Sequence, residues 1–133
     1  MKNLQSVSRS VLLQAAASTA TNSGVVDCLG ADYVTIEVAV GPQLNTNAAP
    51  VVVKIQESDT NEATAFADVS TTKVATVSIA PVASVPTMDS LNVNVGNGTF
   101  KRYLRAVATP GTVASNSAVL LTAIANVQLD INS

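Results

Sequence analysis

The chain has 133 residues, enough for one domain with its own core and too few for two. It is 47% apolar but only 3% aromatic, so the core must come from Val, Ala, Leu and Ile, and the β-branched share of these favours strands. Charged residues make up 12% and the net charge is −2, which excludes the basic surface a nucleic-acid binder needs and suits an exterior covered by other subunits.

The first segment, "MKNLQSVSRSVLLQAAAS", has basic Lys2 and Arg9 ahead of the apolar Val11 to Leu13, followed by small residues. It has the outline of a secretory leader, but Gln14 interrupts its apolar stretch. A short helix fits its propensities. Surrounded by Ser and Thr and lacking a helical stripe, residues 1–23 read better as an extended N-terminal arm, and residues 24–133 as the folded domain. No apolar run approaches the roughly 18–20 residues that cross a membrane.

Cys28 is the single cysteine, so no disulfide closes within the chain, and between Asp27 and Leu29 it reads as a small buried hydrophobe. "YVTIEVAVGP" then alternates: Val34, Ile36, Val38 and Val40 face one side, Tyr33, Thr35, Glu37 and Ala39 the other, until Gly41-Pro42 ends the strand. After the loop "QLNTNAAP", the stretch "VVVKIQES" sets Val51, Val53 and Ile55 against Lys54 and Gln56.

"ESDTNE" gathers Glu57, Asp59, Asn61 and Glu62 near one turn. Calcium can use such oxygens, but the glycine and the full alternation of carboxylates found in loop sites are missing, so a solvated turn is expected and no metal or other cofactor. "AFADVS" and "TKVATVSIAP" follow, Ala75, Val77 and Ile79 continuing the alternation up to Pro81. "SLNVNVG" sets Leu91, Val93 and Val95 opposite Asn92 and Asn94, and Gly96-Asn97-Gly98 predicts a tight turn that makes 91–108 a hairpin.

Within that hairpin "TFKRYLRAVATPG" carries three of the seven cations. Lys101, Tyr103 and Arg105 share one face; Phe100, Arg102 and Leu104 share the other. Either choice of core face leaves a cation beside apolar groups, where it needs a partner. The arginines can reach solvent or pair within the domain. Alternatively Lys101, Arg102, Tyr103 and Arg105 are interface candidates toward another subunit, where Arg and Tyr are favoured anchors. The final segment, "SAVLLTAIANVQLDIN", alternates longest, with Val119, Leu121, Ala123, Ala125, Val127, Leu129 and Ile131 on one face and Leu120 and Ile124 on the other.

Seven or eight short strands punctuated by turns predict an all-β, antiparallel sandwich of the jelly-roll or immunoglobulin-like kind. The chain has no histidine, which removes the commonest general base and metal ligand. Lys54 and Lys73 lack a Ser-x-x-Lys pattern, so no catalytic residue is assigned and no enzyme is expected. Four aromatics, most of them needed for the core, leave little for a sugar platform.

Three stretches together resemble a group of small structural proteins of tailed-bacteriophage heads: "SGVVDCLGADYVTIEVAVG", "KIQESDTNEATAFADVS" and "FKRYLRAVATPGT". The matching positions are Val26, Asp27 and Gly30; Gln56 to Asp59 with Phe66, Asp68 and Val69; and Lys101 to Arg105 with Pro110 and Gly111. Cys28, in place of an aliphatic residue, and the longer turn "TNEATA" depart from the pattern. The resemblance implies a virion structural protein, specifically a capsid decoration or cement protein. Such a protein sits on the outer surface of the capsid, is a homo-oligomer, commonly a trimer, and ties major capsid proteins together. It implies no nucleic-acid or membrane partner, and an arm that orders on assembly. The alternatives are a tail or fibre component and a host-surface glycan-binding module.

Overall fold

The computed structural model describes residues 6–17, 19–42, 50–70, 76–80, 85–96, 98–111 and 119–129. These form nine strands: β1 Ser6–Ala17, β2 Thr21–Asp27, β3 Ala31–Val40, β4 Val51–Ser58, β5 Ala67–Asp68, β6 Thr76–Ile79, β7 Thr87–Asn94, β8 Tyr103–Thr109 and β9 Val119–Leu129. All the strand pairs are antiparallel. The first sheet runs β1-β9-β3-β7; the second runs β2-β8-β4-β5, with β6 also paired to β4.

β5 and β6 lie along different parts of β4, at Gln56–Glu57 and Val51–Lys54 respectively, so they act as one broken strand. Counted that way, eight strands run 1-8-3-6 in one sheet and 2-7-4-5 in the other. This is the jelly-roll order, and it decides between the two expected sandwich types.

The core follows from period-two burial. Val34, Ile36, Val38 and Val40 of β3 meet Leu91 and Val93 of β7 and Val127 of β9 on the inner face of the first sheet. Val51, Val53 and Ile55 of β4, with Leu104, Ala106 and Ala108 of β8, supply the opposite layer. Burying a Val, Leu or Ile side chain stabilises the fold by about 1.5–3 kcal/mol, so this aliphatic layer carries the sandwich without a central aromatic. The aromatics expected to fill the core do not: Tyr33 is 46% exposed, Phe100 packs at the margin, and Phe66 is buried outside the main cluster.

Two further expectations are corrected. The segment expected as an arm that orders on assembly is extended, but it is an edge strand of this domain: β1 pairs with β9 from Ser6↔Leu129 to Ala17↔Val119. The domain therefore does not begin at residue 24. Ser23 is buried in a bulge of β2, where its Oγ accepts from Ala106 N–H at 2.8 Å and donates to the Gly24 carbonyl at 2.6 Å, replacing the ladder bond that the bulge disrupts. Residues 1–5 and 18 lie outside the described residues, as do Ala75 and Ile131 of the expected strands.

The expected hairpin at 91–108 is instead a crossing. β7 belongs to the first sheet and β8 to the second. The turn chemistry is as expected, with Gly98 at φ +72° and its N–H bonded to the Val95 carbonyl at 3.2 Å. But Val95 and Gly96 both donate to the Asp32 carbonyl, at 3.0 Å each, which ties the turn to the start of β3 while the chain passes across the sandwich.

Candidate functional site: a charged clasp on the second sheet

The β2–β3 turn is built by Asp27 and Gly30. Gly30 at φ +74° occupies the third position of a turn closed by Ala31 N–H donating to the Cys28 carbonyl at 3.0 Å, a place where a Cβ is strained. Asp27 Oδ1 accepts from Leu29 N–H at 3.0 Å, which fixes the turn from the residue just before it.

The same carboxylate holds Arg102. Nε donates to Oδ1 at 2.9 Å and an Nη donates to Oδ2 at 2.7 Å, a bidentate pair, while Cys28 N–H donates to the Arg102 carbonyl at 2.8 Å. Arg102 therefore locks the entry to β8 against the end of β2. Its guanidinium also lies 4.8 Å from the centre of the Tyr103 ring. The hydrogen bond from Arg102 holds the Asp27 carboxyl below its ordinary 3.8, and the same bond raises the guanidinium further.

On the outer face of β8, Arg105 stands opposite Gln56 of β4, and Gln56 stands opposite Asp68 of β5. Arg105 donates twice to Gln56 Oε1, at 2.9 and 2.6 Å; Gln56 Nε2 donates to Asp68 Oδ1 at 2.7 Å; Lys54 Nζ pairs with Asp68 Oδ2 at 2.7 Å. Gln56 is thus oriented by a cation on one side and an anion on the other. Asp68 is pulled below 3.8 by the bonds from Lys54 and Gln56.

The β4–β5 loop folds back over this row. Arg105 donates to the Ala63 carbonyl at 3.2 Å, and its guanidinium sits 4.5 Å from the centre of the buried Phe66 ring. Lys101 closes the other end: Nζ pairs with Asp59 at 2.7 Å and its N–H donates to Glu57 Oε2 at 3.0 Å. The bond to Asp59 raises the Lys101 ammonium above its usual value.

All four interface candidates thus have in-chain work. Lys101, Arg102 and Arg105 each have a partner within the domain, and Tyr103 is half-buried beside Arg102. Glu57 and Asp59 of the oxygen-rich turn serve Lys101; Asn61 and Glu62 are exposed, with the Glu62 carbonyl accepting from Ala65 N–H at 2.9 Å. Among the described residues, no group of three or more Cys, Asp or Glu is arranged to hold a metal. Sequence reasoning missed Gln56 and Asp68 as the centre of the network. The signal was the Lys54-x-Gln56 alternation, which sends both side chains to the face that Arg105 shares.

A cleft of about 460 Å³ opens at the end of the sandwich, between the β2–β3 turn and the Gly96–Gly98 turn, with Cys28, Asp32 and Arg102 in its wall. Cys28 is buried, and burial, with the Asp27 charge beside it, pushes the thiol up to about 12. It is protonated at neutral pH and is no nucleophile there.

The fold and this network define an antiparallel jelly-roll sandwich whose one outer face is sealed by its own charged side chains. No protein-family model matches the chain, and no curated protein matches it. It is similar to a solved structure from Bacillus endospore appendages, described as a novel family of disulfide-linked pili. The match covers 97% of this chain and 94% of that one, at 14% identity and a TM-score of 0.47. A likeness that slight says nothing about role.

Proposed function

We propose that this chain is a virion structural protein, a capsid decoration protein that binds the outer head shell of a tailed bacteriophage as a homo-oligomer and braces neighbouring major capsid proteins. The observation that carries the reading is the resemblance in three short stretches, Val26–Gly30, Gln56–Val69 and Lys101–Gly111. The structure brings these stretches together in the clasp: Asp27 to Arg102, Gln56 to Arg105, Phe66 beneath Arg105, Asp59 to Lys101. A pattern that folds into a single mutually bonded unit is more specific than three separate strand-and-turn matches.

Physical economy supports the same role. Few charges repel a neighbouring subunit, and the clasp satisfies several of them internally, so wide sheet surfaces can lie against protein. A brace of this kind binds through many copies, each link raising the effective concentration of the next.

The test is the place and number of this chain in an intact particle, by quantitative mass spectrometry against the major capsid protein and by electron cryomicroscopy. Hundreds of copies on the outer head surface are the expected result. A few copies at the tail, or none in the particle, refute it.

A further inference from the structure

The outer face of the first sheet presents an arrangement that the clasp does not use. Tyr33 projects from the interior strand β3 and is 46% exposed. On its two sides stand Asn94 of β7 and Gln128 of β9, and one row further along Thr35 stands between Asn92 of β7 and Asn126 of β9. Asn92 and Asn94 are exposed, Thr35, Asn126 and Gln128 half-buried. Six side chains thus make a three-by-two block with one aromatic, one hydroxyl and four carboxamides. With strands about 4.8 Å apart and about 6.8 Å between rows, the block measures roughly 10 Å by 7 Å, the footprint of one or two hexose rings.

The geometry points to a binding site for a neutral oligosaccharide on this face, with Tyr33 as the stacking platform and the flanking amides as hydroxyl partners. The chemistry of the block selects that class of ligand. A pyranose has an apolar C–H face, which stacks on an aromatic ring, and a rim of hydroxyls that both donate and accept. A carboxamide offers two donors and an acceptor with two lone pairs, matching vicinal hydroxyls in either sense. No Asp, Glu, Lys or Arg stands within the block itself, and the charged positions that border it by register, Arg9 opposite Asn126 on β1 and Glu37 one row along β3, are of opposite sign, so the block favours neither an anion nor a cation. One amide is already oriented, since Thr35 Oγ1 donates to Asn92 Oδ1 at 2.8 Å and turns the amide nitrogen away from that hydroxyl.

The site does not depend on the capsid role: a shell protein and a free module with this face would both bind sugar. It also corrects the expectation that the aromatics are needed in the core, since Tyr33 is not used there.

The experiment is a titration of the full chain, isotopically labelled, with maltotriose, cellotriose and chitotriose, and with phosphate and a sialylated trisaccharide as charged probes. Amide-resonance shifts locate the site. At least one neutral trisaccharide should bind in the millimolar range, with shifts centred on Tyr33, Asn92, Asn94 and Gln128. Tyr33→Ala should weaken that binding about tenfold, as expected for a lost stacking contact. Met88→Ala, further along the same face, should leave it unchanged, and a far-ultraviolet spectrum like that of the parent shows that each variant is folded. The inference is overturned if no neutral saccharide shifts these resonances at millimolar concentration, or if binding survives Tyr33→Ala. It is equally overturned if the charged probes are preferred, or if Tyr33→Ala instead abolishes self-association in sedimentation, which would make a second copy of the chain the occupant.

Discussion

Arg105→Ala tests whether the cationic strand serves the fold or a partner. The substitution removes the guanidinium from the Phe66 ring, where it lies 4.5 Å from the ring centre, and removes donors from Gln56 and the Ala63 carbonyl. A partly desolvated cation–π contact is worth about 1 kcal/mol. The hydrogen bonds go to neutral acceptors that water can reach once the side chain is gone, and contribute about 1 kcal/mol more. A loss of about 2 kcal/mol is expected, read as a fall in the urea midpoint with unchanged slope, or a drop of roughly 6–10 °C in Tm for a domain of this size. Arg105→Lys keeps the charge but not the planar fork and should recover little of it. A double-mutant cycle with Phe66→Ala should return a coupling of about 1 kcal/mol. Coupling below about 0.3 kcal/mol, within the error of additivity, refutes the stacked clasp. An Arg105→Ala variant as stable as the parent but defective in oligomerisation refutes the in-chain reading altogether.

Acid should act through Asp27 and Asp68. Both carboxyls sit below 3.8 in the folded state, so the stability they contribute is complete above that value and is lost as pH falls through their folded values. Asp27→Asn and Asp68→Asn should each lower the midpoint at pH 7 and flatten the loss below about pH 4 in urea melts taken across pH; an acid limb as steep as the parent's counts against these pairs. Gly30→Ala should destabilise by about 1–2 kcal/mol, because φ +74° crowds a Cβ; an unchanged Tm would mean the turn relaxes freely. Deleting residues 1–17 should produce aggregation or a large stability loss, visible in light scattering, because β9 then becomes a bare edge. A truncated chain that keeps the parent's state of association and melts like the parent would restore the reading of this segment as an arm outside the domain.

Strand positions were legible wherever burial alternates cleanly: β3 and β4 lie where Val34–Val40 and Val51–Ile55 placed them. Connectivity was not. The pattern of Leu91, Val93 and Val95 followed by Leu104 and Ala106 is the same whether two strands pair side by side or face each other across a core, and the ladder partners, β3 for β7 and β2 and β4 for β8, distinguish the cases. The segment 6–17 was misread for a related reason. Its small residues have weak local preference, and its strand character comes from pairing with β9, more than a hundred residues away in sequence. Asp27 and Gly30 were legible as a motif but not as a mechanism, because the contact between Asp27 and Arg102 spans 75 residues. Tyr33 was legible as outward-facing; that Asn94 and Gln128 flank it, with Asn92 and Asn126 one row along beside Thr35, required the register of three strands.

The internal pairing of cations also bears on how this protein would meet a partner. Lys54, Lys101 and Arg102 pair with Asp68, Asp59 and Asp27 at 2.7 Å each, and Arg105 is held by neutral oxygens over an aromatic ring. Each ion pair is a short dipole whose field fades over the Debye length, about 8 Å at physiological salt, so little of this charge reaches an approaching surface. Association steered by charge has a rate that falls steeply with ionic strength; association through neutral sheet faces does not. Attachment to a capsid should therefore change little between low and physiological salt in a sedimentation assay. Release of the chain by moderate salt would show that exposed charge outside the clasp drives docking, and the sealed face would then be incidental to the role.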